Sequence, residues 1–282
     1  MPFKKIKDTL ELIKFSHSIF ALPFALGAML IAARGLPSWR TVGLIILALV
    51  FARTAAMAFN RWADSEIDQK NPRTKDRHIP KGTLSKSYVL GLALMSSVGF
   101  IGTAYFLGHL CLIFSPLVLA VLFFYSYTKR FSDYSQLFLG LALALAPVGA
   151  WIAVNDTIGL FPLLIGLAVL LWVAGFDILY ATQDYEHDRQ NQIHSMVVRY
   201  GIPKALRLAR IMHFSSFLIL LFLGWLAELI WPYFAGIILM GILFLYQHSL
   251  VKPQDLSRVN AAFFTANGLI SLIFLASVYF SV

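Results

Sequence analysis

Nine apolar runs, each long enough to cross a lipid bilayer, follow one another along the 282-residue chain and constrain its fold more than any other feature. Such runs predict helices, because a helix satisfies its backbone hydrogen bonds within its own segment. The runs occupy residues 17–34, 41–60, 88–107, 109–126, 135–153, 160–180, 209–226, 229–249 and 260–281. We therefore predict an all-α, polytopic membrane protein with nine transmembrane helices.

The composition supports this fold class and excludes several functions. Hydrophobic residues make up 59% of the chain and charged residues 13%, which is too apolar for a soluble domain of this length. The single cysteine excludes a disulfide framework and a thiolate metal site. The net charge of +9 predicts no nucleic-acid partner, because the basic residues lie between the apolar runs, as in a lipid-embedded protein.

The basic residues also predict the orientation in the bilayer. Of the 23 Lys and Arg residues, 20 lie in the N-terminal segment and in alternate loops on one side. Arg34 and Arg40 lie on the other side, and Arg53 lies within the second run. Since cytoplasmic loops carry the positive excess, we expect a cytoplasmic N-terminus and an external C-terminus in the inner (plasma) membrane. Residues 1–15, with lysines among apolar residues, predict an amphipathic interfacial helix.

A row of polar residues directly follows the second apolar run. Asn60, Asp64 and Asp68 are four residues apart, so they share one face if the helix continues. We call the stretch Asn60–Asp68 the first acidic motif. Carboxylates stacked in this way repel each other, so the motif predicts a bound cation. Oxygen ligands favour magnesium or calcium over zinc.

A second acidic motif, Asp177–Asp188, lies at the end of the sixth run. Asp177, Asp184 and Asp188 are spaced by seven and four residues, which again predicts a shared helix face. Asp64 and Asp184 are 120 residues apart, as are Asp68 and Asp188. This regularity hints at duplication of a four-helix unit; the alternative is coincidence between two short motifs.

Two long loops, at residues 61–87 and 181–207, hold half of the 14 acidic residues. The first loop also carries five closely spaced basic residues after its acidic motif. This pairing suits a diphosphate bound by a metal on one side and by cations on the other. Arg73 and Arg77 are the better candidates, since each lies at a defined offset from a proline. Lys129 could reach the same anion, although a lysine at a helix C-terminus is also favoured by the helix dipole.

Arg53 lies seven residues before Asn60, which places it about 10 Å deeper along the same helix. An arginine at such depth is costly unless it is paired or lines a hydrated cavity. A substrate carboxylate is a natural partner for its guanidinium. An intramembrane salt bridge to Asp177 is the alternative.

In combination, these residues resemble the UbiA-type intramembrane aromatic prenyltransferases over essentially the whole chain. The resemblance depends on four motifs: Asn60-x-x-x-Asp64-x-x-x-Asp68, Arg73-x-x-x-Arg77-x-x-Pro80-x-Gly82, Tyr125 to Lys129, and Asp184-x-x-x-Asp188 preceded by Asp177 and Tyr180. It implies one domain over residues 1–282, with helices around a central cavity. It further implies a cytoplasmic cap in which 61–87 and 181–207 are the active-site loops.

The resemblance implies Mg²⁺-dependent transfer of a polyprenyl group from polyprenyl diphosphate to a ring carbon of an aromatic acceptor. The implied catalytic residues are Asp64, Asp68, Asp184, Asp188 and Asp177. The implied metal ligands, for two Mg²⁺ ions, are Asn60, Asp64, Asp68, Asp184 and Asp188. The implied diphosphate-binding residues are Arg73, Arg77, Lys129 and Tyr125.

The same resemblance implies that Arg53, Asn60 and Tyr180 bind the acceptor, with its carboxylate at Arg53. This favours 4-hydroxybenzoate and ubiquinone biosynthesis. His194-Ser195 stands where the family's 4-hydroxybenzoate enzymes carry Lys-Ser, and this resembles the menaquinone branch, which uses 1,4-dihydroxy-6-naphthoate; both acceptors stay open. A competing class, an ion-coupled secondary transporter, would place its ion ligands near mid-membrane on interrupted helices, whereas these motifs lie at the ends of runs.

Overall fold

The computed structural model describes residues 2–13 and 18–282, and this part of the chain is helical and contains no strand. The helices are α1 (Pro2–Leu12), α2 (Ser18–Ala33), α3 (Trp39–Ala63), α4 (Ser65–Lys70), α5 (Lys86–Leu107), α6 (His109–Thr128), α7 (Ser135–Asn155), α8 (Leu160–Ala181), α9 (Tyr185–Gln190), α10 (Met196–Tyr200), α11 (Ile202–Leu226), α12 (Trp231–Leu250), α13 (Val259–Ala261) and α14 (Asn267–Tyr279). A 3₁₀ turn at Thr182–Asp184 follows α8, and a π-helical turn at Ala262–Ala266 joins α13 to α14.

Within the described ranges, eight helical segments are long and apolar enough to cross a membrane. The all-α, polytopic prediction is therefore confirmed. The helix in the first predicted span, α2, has 16 residues, and residues 14–17, which precede it, lie outside the described part. Nine spans therefore stay a prediction, as do the central cavity and its cap. Gly108, with a φ of 148°, separates α5 from α6 where the sequence predicted the boundary.

The helix of the seventh span begins seven residues before the apolar run at residue 209. Helix α11 begins at Ile202, with Pro203 in its first turn, a position where proline's missing N–H costs no hydrogen bond. The apolar pattern missed these two turns because their exposed face is polar and basic. The loop predicted at 181–207 is correspondingly shorter and contains α9 and α10.

The chain forms two compact units. The first comprises residues 1–18 and 40–127. In it, Leu12 and Ile13 at the end of α1 pack in one buried cluster with Ala58 of α3 and Val89 of α5. This helix occupies part of the predicted interfacial segment 1–15, whose last two residues lie outside the described ranges.

The second unit comprises residues 19–39 and 128–282, and α8 is its most buried helix. Polar side chains tie α8 to its neighbours. The indole nitrogen of Trp172 donates to Oδ1 of Asn267 on α14 at 2.9 Å, and the hydroxyl of Ser216 on α11 donates to the carbonyl of Ala168 at 2.8 Å. These bonds fix both the rotation and the height of α8 within its unit.

Helices α7 and α8 approach so closely at Gly140 that a Cβ there would overlap the carbonyl oxygen of Leu170. Gly149, on the same helix, has open space around the corresponding position. The first glycine is therefore required by packing, and the second is not.

We predict that Gly140→Ala destabilises the protein and Gly149→Ala does not. Overpacking at Gly140 costs about 1–3 kcal/mol, whereas alanine in place of a helical glycine gains up to about 1 kcal/mol. Thermal unfolding of the detergent-solubilised variants measures both effects. Equal midpoints for the two variants would contradict this account of the contact between α7 and α8.

Candidate active site

The first acidic motif lies where α3 gives way to α4. Asp64 stands between the two helices with right-handed helical dihedral angles. Its N–H donates to the carbonyl of Asn60 at 2.9 Å, and the N–H of Asp68 donates to the carbonyl of Asp64 at 2.8 Å. The four-residue hydrogen-bond spacing thus continues across the junction, as the sequence predicted.

Both aspartates of this motif are buried, Asp64 at 2% exposure and Asp68 at 4%. The amide nitrogen of Asn60 donates to Oδ2 of Asp64 at 3.0 Å, and it also contacts the hydroxyl of Ser126 at 3.4 Å. Arg77 forms a 2.6 Å ion pair with Oδ1 of Asp68. Burying a carboxylate away from water is costly without such partners. These contacts therefore stabilise the two buried carboxylates.

The donor atoms of this cluster fit a hard divalent cation. Oδ2 of Asp68 is buried and accepts no hydrogen bond from any residue that the structure describes. Asn60 turns its amide nitrogen towards Asp64, which leaves its carbonyl oxygen as the available ligand atom. Carboxylate and amide oxygens are the ligands that Mg²⁺ prefers.

The basic loop after α4 separates the two predicted arginines. Arg77 is half-buried on Asp68, whereas the side chain of Arg73 is exposed. The backbone at Arg73 is fixed locally, because its N–H donates to Oδ1 of Asn71 at 2.8 Å. The hydroxyl of Thr74 donates to the carbonyl of Asp68 at 3.0 Å and anchors the loop to the motif.

Sequence reasoning missed Arg61 and Ser126. Arg61 interacts electrostatically with both Asp64 and Asp68, so it contributes positive charge to the cluster. The excess of basic residues in cytoplasmic loops already explained its presence, so the sequence offered no separate reason to assign Arg61 to the site. The residue before Ser126, Tyr125, is half-buried on α6 and also interacts electrostatically with Arg61.

Arg53 lies within α3, seven residues before Asn60, and its side chain is half-buried. The helix is continuous between the two, so the predicted separation of about 10 Å along one helix applies. Its role at an acceptor carboxylate stays a prediction.

In the second unit, the helix does not run unbroken from Asp177 to Asp188. Helix α8 ends at Ala181, the 3₁₀ turn ends at Asp184, and α9 then carries Asp188. The predicted seven-residue helical register is therefore interrupted, because a 3₁₀ turn has about 3.0 residues per turn. All three aspartates are half-buried.

Tyr180, the predicted acceptor residue, packs its ring at 4.3 Å from that of Phe263 and 6.4 Å from that of Phe264. Both phenylalanines belong to the π-helical turn. Such turns are frequent at functional sites. The wall next to Tyr180 is aromatic and suits an apolar, electron-rich or cationic group.

The loop after α9 forms a hydrogen bond to the backbone of Lys129. The N–H of His194 donates to the carbonyl of Lys129 at 2.9 Å. The ring of His194 hydrogen-bonds through Nδ1 to Oδ1 of Asp133 at 2.8 Å, and Arg199 pairs with the other oxygen of Asp133 at 3.2 Å. His194 is thus a hydrogen-bonding residue, and its partner Asp133 was not predictable from local spacing.

Two further contacts secure this loop. Oε1 of Gln136 accepts from the N–H of Met196 at 3.1 Å. The hydroxyls of Tyr134 and Tyr200 share a 2.9 Å hydrogen bond, which raises the pKa of Tyr134 above its usual value. The segment that carries Lys129 is therefore fixed from several directions.

The described part of the chain is thus that of a polytopic all-α membrane protein with paired aspartates at helix ends. The chain belongs to the UbiA prenyltransferase family, whose family model matches residues 21–275. It is a membrane prenyltransferase.

One relative is the 4-hydroxybenzoate octaprenyltransferase of Alcanivorax borkumensis, which is 34% identical over 82% of this chain and 79% of its own length. The solved apo structure of a UbiA homologue from Aeropyrum pernix K1 has a TM-score of 0.85 and 29% identity, covering 93% of this chain and 97% of that one. A UbiA homologue from Archaeoglobus fulgidus, solved with GPP and Mg²⁺, has a TM-score of 0.74 and 19% identity, covering 96% of this chain and 98% of that one. The last likeness concerns the fold alone.

We predict that Arg77→Ala releases the basic loop. The lost ion pair leaves Asp68 buried without its cationic partner, and a hydrogen bond to a charged group contributes about 1.5–3 kcal/mol. Trypsin cleavage at Lys75 and Lys81, quantified by mass spectrometry, should accelerate about tenfold or more. Lys70→Ala is the matched control, because it removes an exposed cation at the end of α4; equal acceleration in both variants would exclude the tether.

Proposed function

We propose that this prenyltransferase is Mg²⁺-dependent and transfers a polyprenyl group from polyprenyl diphosphate to a ring carbon of 4-hydroxybenzoate in quinone biosynthesis. The main support is the buried Asp64–Asp68 pair, with Arg77 on Asp68 and a buried carboxylate oxygen at Oδ2. Such a cluster suits a cation together with an anionic substrate. The name of the Alcanivorax relative supports the acceptor.

On the donor side, Asn60, Asp64 and Asp68 of the first motif, and Asp184 and Asp188 of the second, are the proposed metal ligands. Bound Mg²⁺ would act as a Lewis acid towards the diphosphate leaving group. Arg73, Arg77, Lys129 and Tyr125 are proposed to contact the diphosphate oxygens. Their positive charges and hydrogen bonds compensate the negative charge that develops as the carbon–oxygen bond breaks.

On the acceptor side, Arg53 is proposed to bind the carboxylate through its guanidinium fork, with Asn60 and Tyr180 orienting the ring. The allylic carbon released from the diphosphate forms a bond to a ring carbon, which then loses its proton. The aromatic wall at Tyr180 and Phe263 would stabilise the allylic cation and exclude water. Asp177, one turn inside the second motif, is proposed as a further catalytic residue.

The proposed location is the inner (plasma) membrane, with a cytoplasmic N-terminus and an external C-terminus. The distribution of 20 of the 23 Lys and Arg residues on one side supports this orientation. It would place both acidic motifs on the side where a soluble aromatic acid and a diphosphate are available.

The deciding experiment offers the purified protein Mg²⁺, a polyprenyl diphosphate, and either 4-hydroxybenzoate or 1,4-dihydroxy-6-naphthoate. Prenylated product is quantified by mass spectrometry. We expect 4-hydroxybenzoate to be the better substrate, and a preference for the naphthoate would reassign the acceptor. Absence of product with both acceptors would refute the proposal.

We predict that Asp64→Ala, Asp68→Ala and Asp184→Ala each lower kcat by about a hundredfold or more, because each removes charge that acts on the reacting diphosphate. Asp76→Ala is the control, since Asp76 lies in the same loop but is exposed. The same assay measures all four variants. Full activity in the three site variants would contradict their role.

We predict that Arg53→Ala raises the KM for the aromatic acceptor by about ten- to a hundredfold and leaves the KM for the diphosphate unchanged, because a charge-assisted contact contributes about 1.5–3 kcal/mol. Thr54→Ala is the control on the same helix, where the hydroxyl bonds only to the carbonyl of Val50 among described residues. A raised diphosphate KM in Arg53→Ala would move this residue to the donor side.

A further inference from the structure

A cavity of about 450 Å³ lies in the second unit, at the end of α8 remote from the second acidic motif. Phe161, near the start of α8, lines it, and Asp177 lies 16 residues further along the same helix, a rise of about 24 Å. The proposed reaction uses none of its residues.

Three helices end around this cavity, and each ends unusually. Arg34 after α2, Asp156 after α7 and Glu228 after α11 have φ angles of 50°, 47° and 55°. In this left-handed region a helix most often ends with glycine. Aspartate also adopts it readily, whereas arginine and glutamate cost of order 1–3 kcal/mol there. Among described non-glycine residues with positive φ, three of the four are found here. A ligand that needs the charged side chains would account for the retained strain.

Arg34 and Glu228 both line the cavity and are both exposed, and neither side chain forms an ion pair with any residue that the structure describes. The cavity therefore offers a positive and a negative group that do not neutralise each other. The hydroxyl oxygen of Ser281, another lining residue, is buried and has no hydrogen-bond partner in the described ranges. These groups suit a ligand with both charges.

One wall of the cavity is apolar, and neighbouring tryptophans indicate its depth in the membrane. Trp151 and Phe161 stack at 5.4 Å with an interplanar angle of 11°. Trp225 and Trp231, at the neighbouring ends of α11 and α12, are 69% and 76% exposed. Exposed tryptophans at helix ends mark the headgroup region of a bilayer.

We propose that this cavity binds the headgroup of a zwitterionic phospholipid that carries a primary ammonium, as phosphatidylethanolamine does. Arg34 binds the phosphate. Glu228 binds the ammonium. The acyl chains leave along the wall formed by Trp151 and Phe161.

The test uses substitutions that remove charge and relieve strain together. In Arg34→Gly and Glu228→Gly, glycine suits the left-handed backbone, so each variant should unfold at the same or a higher temperature than wild type without lipid. Phosphatidylethanolamine added to detergent-solubilised wild type should raise the unfolding temperature. Both variants should lose that shift, with binding by native mass spectrometry weakened about tenfold or more.

Arg40→Ala is the matched control, because Arg40 is an exposed cation near the end of the same connection but does not line the cavity; it should keep the full lipid shift. An equal lipid shift in the glycine variants and wild type would overturn the proposal. So would an equal shift from phosphatidylglycerol, which lacks the ammonium. A shift from inorganic phosphate or soluble O-phosphoethanolamine equal to that from phosphatidylethanolamine at the same concentration would show that the acyl chains contribute nothing, and would overturn the assignment to a lipid.

Discussion

The burial of two carboxylates one helical turn apart is the constraint on which the first unit depends. Desolvation of Asp64 and Asp68, at 2% and 4% exposure, costs several kcal/mol per ion unless partners compensate. Arg77, Asn60 and Arg61 supply that compensation from three directions. The basic loop is therefore folded by the same charges that create the candidate site, so its shape and its chemistry cannot vary independently.

In the second unit, a backbone hydrogen bond helps to fix the segment that carries Lys129. The carbonyl of Lys129 accepts the N–H of His194 at 2.9 Å. Asp133 then joins His194 to Arg199. His194, which differs from the Lys-Ser of the family's 4-hydroxybenzoate enzymes, thus has a structural role.

The apolar runs predicted the helices well, because burial in lipid leaves few alternatives to a helix. The differences between the predicted and the observed helix bounds have local causes. Ile202 begins α11 seven residues early, since proline and glycine define that start while the apolar pattern does not. The 3₁₀ turn at Thr182–Asp184 leaves no periodic signal in three residues. Within the candidate site, Asn60, Asp64 and Asp68 were predictable from spacing. Asp133 was not, because its partner His194 is distant in sequence. Arg61 was not, because the excess of basic residues in cytoplasmic loops already explained its presence.

The π-helical turn at Ala262–Ala266 determines which side of the last helix faces lipid. It adds one residue to a helical turn, and each residue of an α-helix rotates the chain by about 100°. Deleting one residue there would therefore move each later residue to the position of its predecessor, which carries exposed Leu269 and Leu272 to the buried positions of Gly268 and Ser271. This helix can accept many changes of side chain on its outer face, but a change of length by one residue would bring two of its exposed leucines into the packed face.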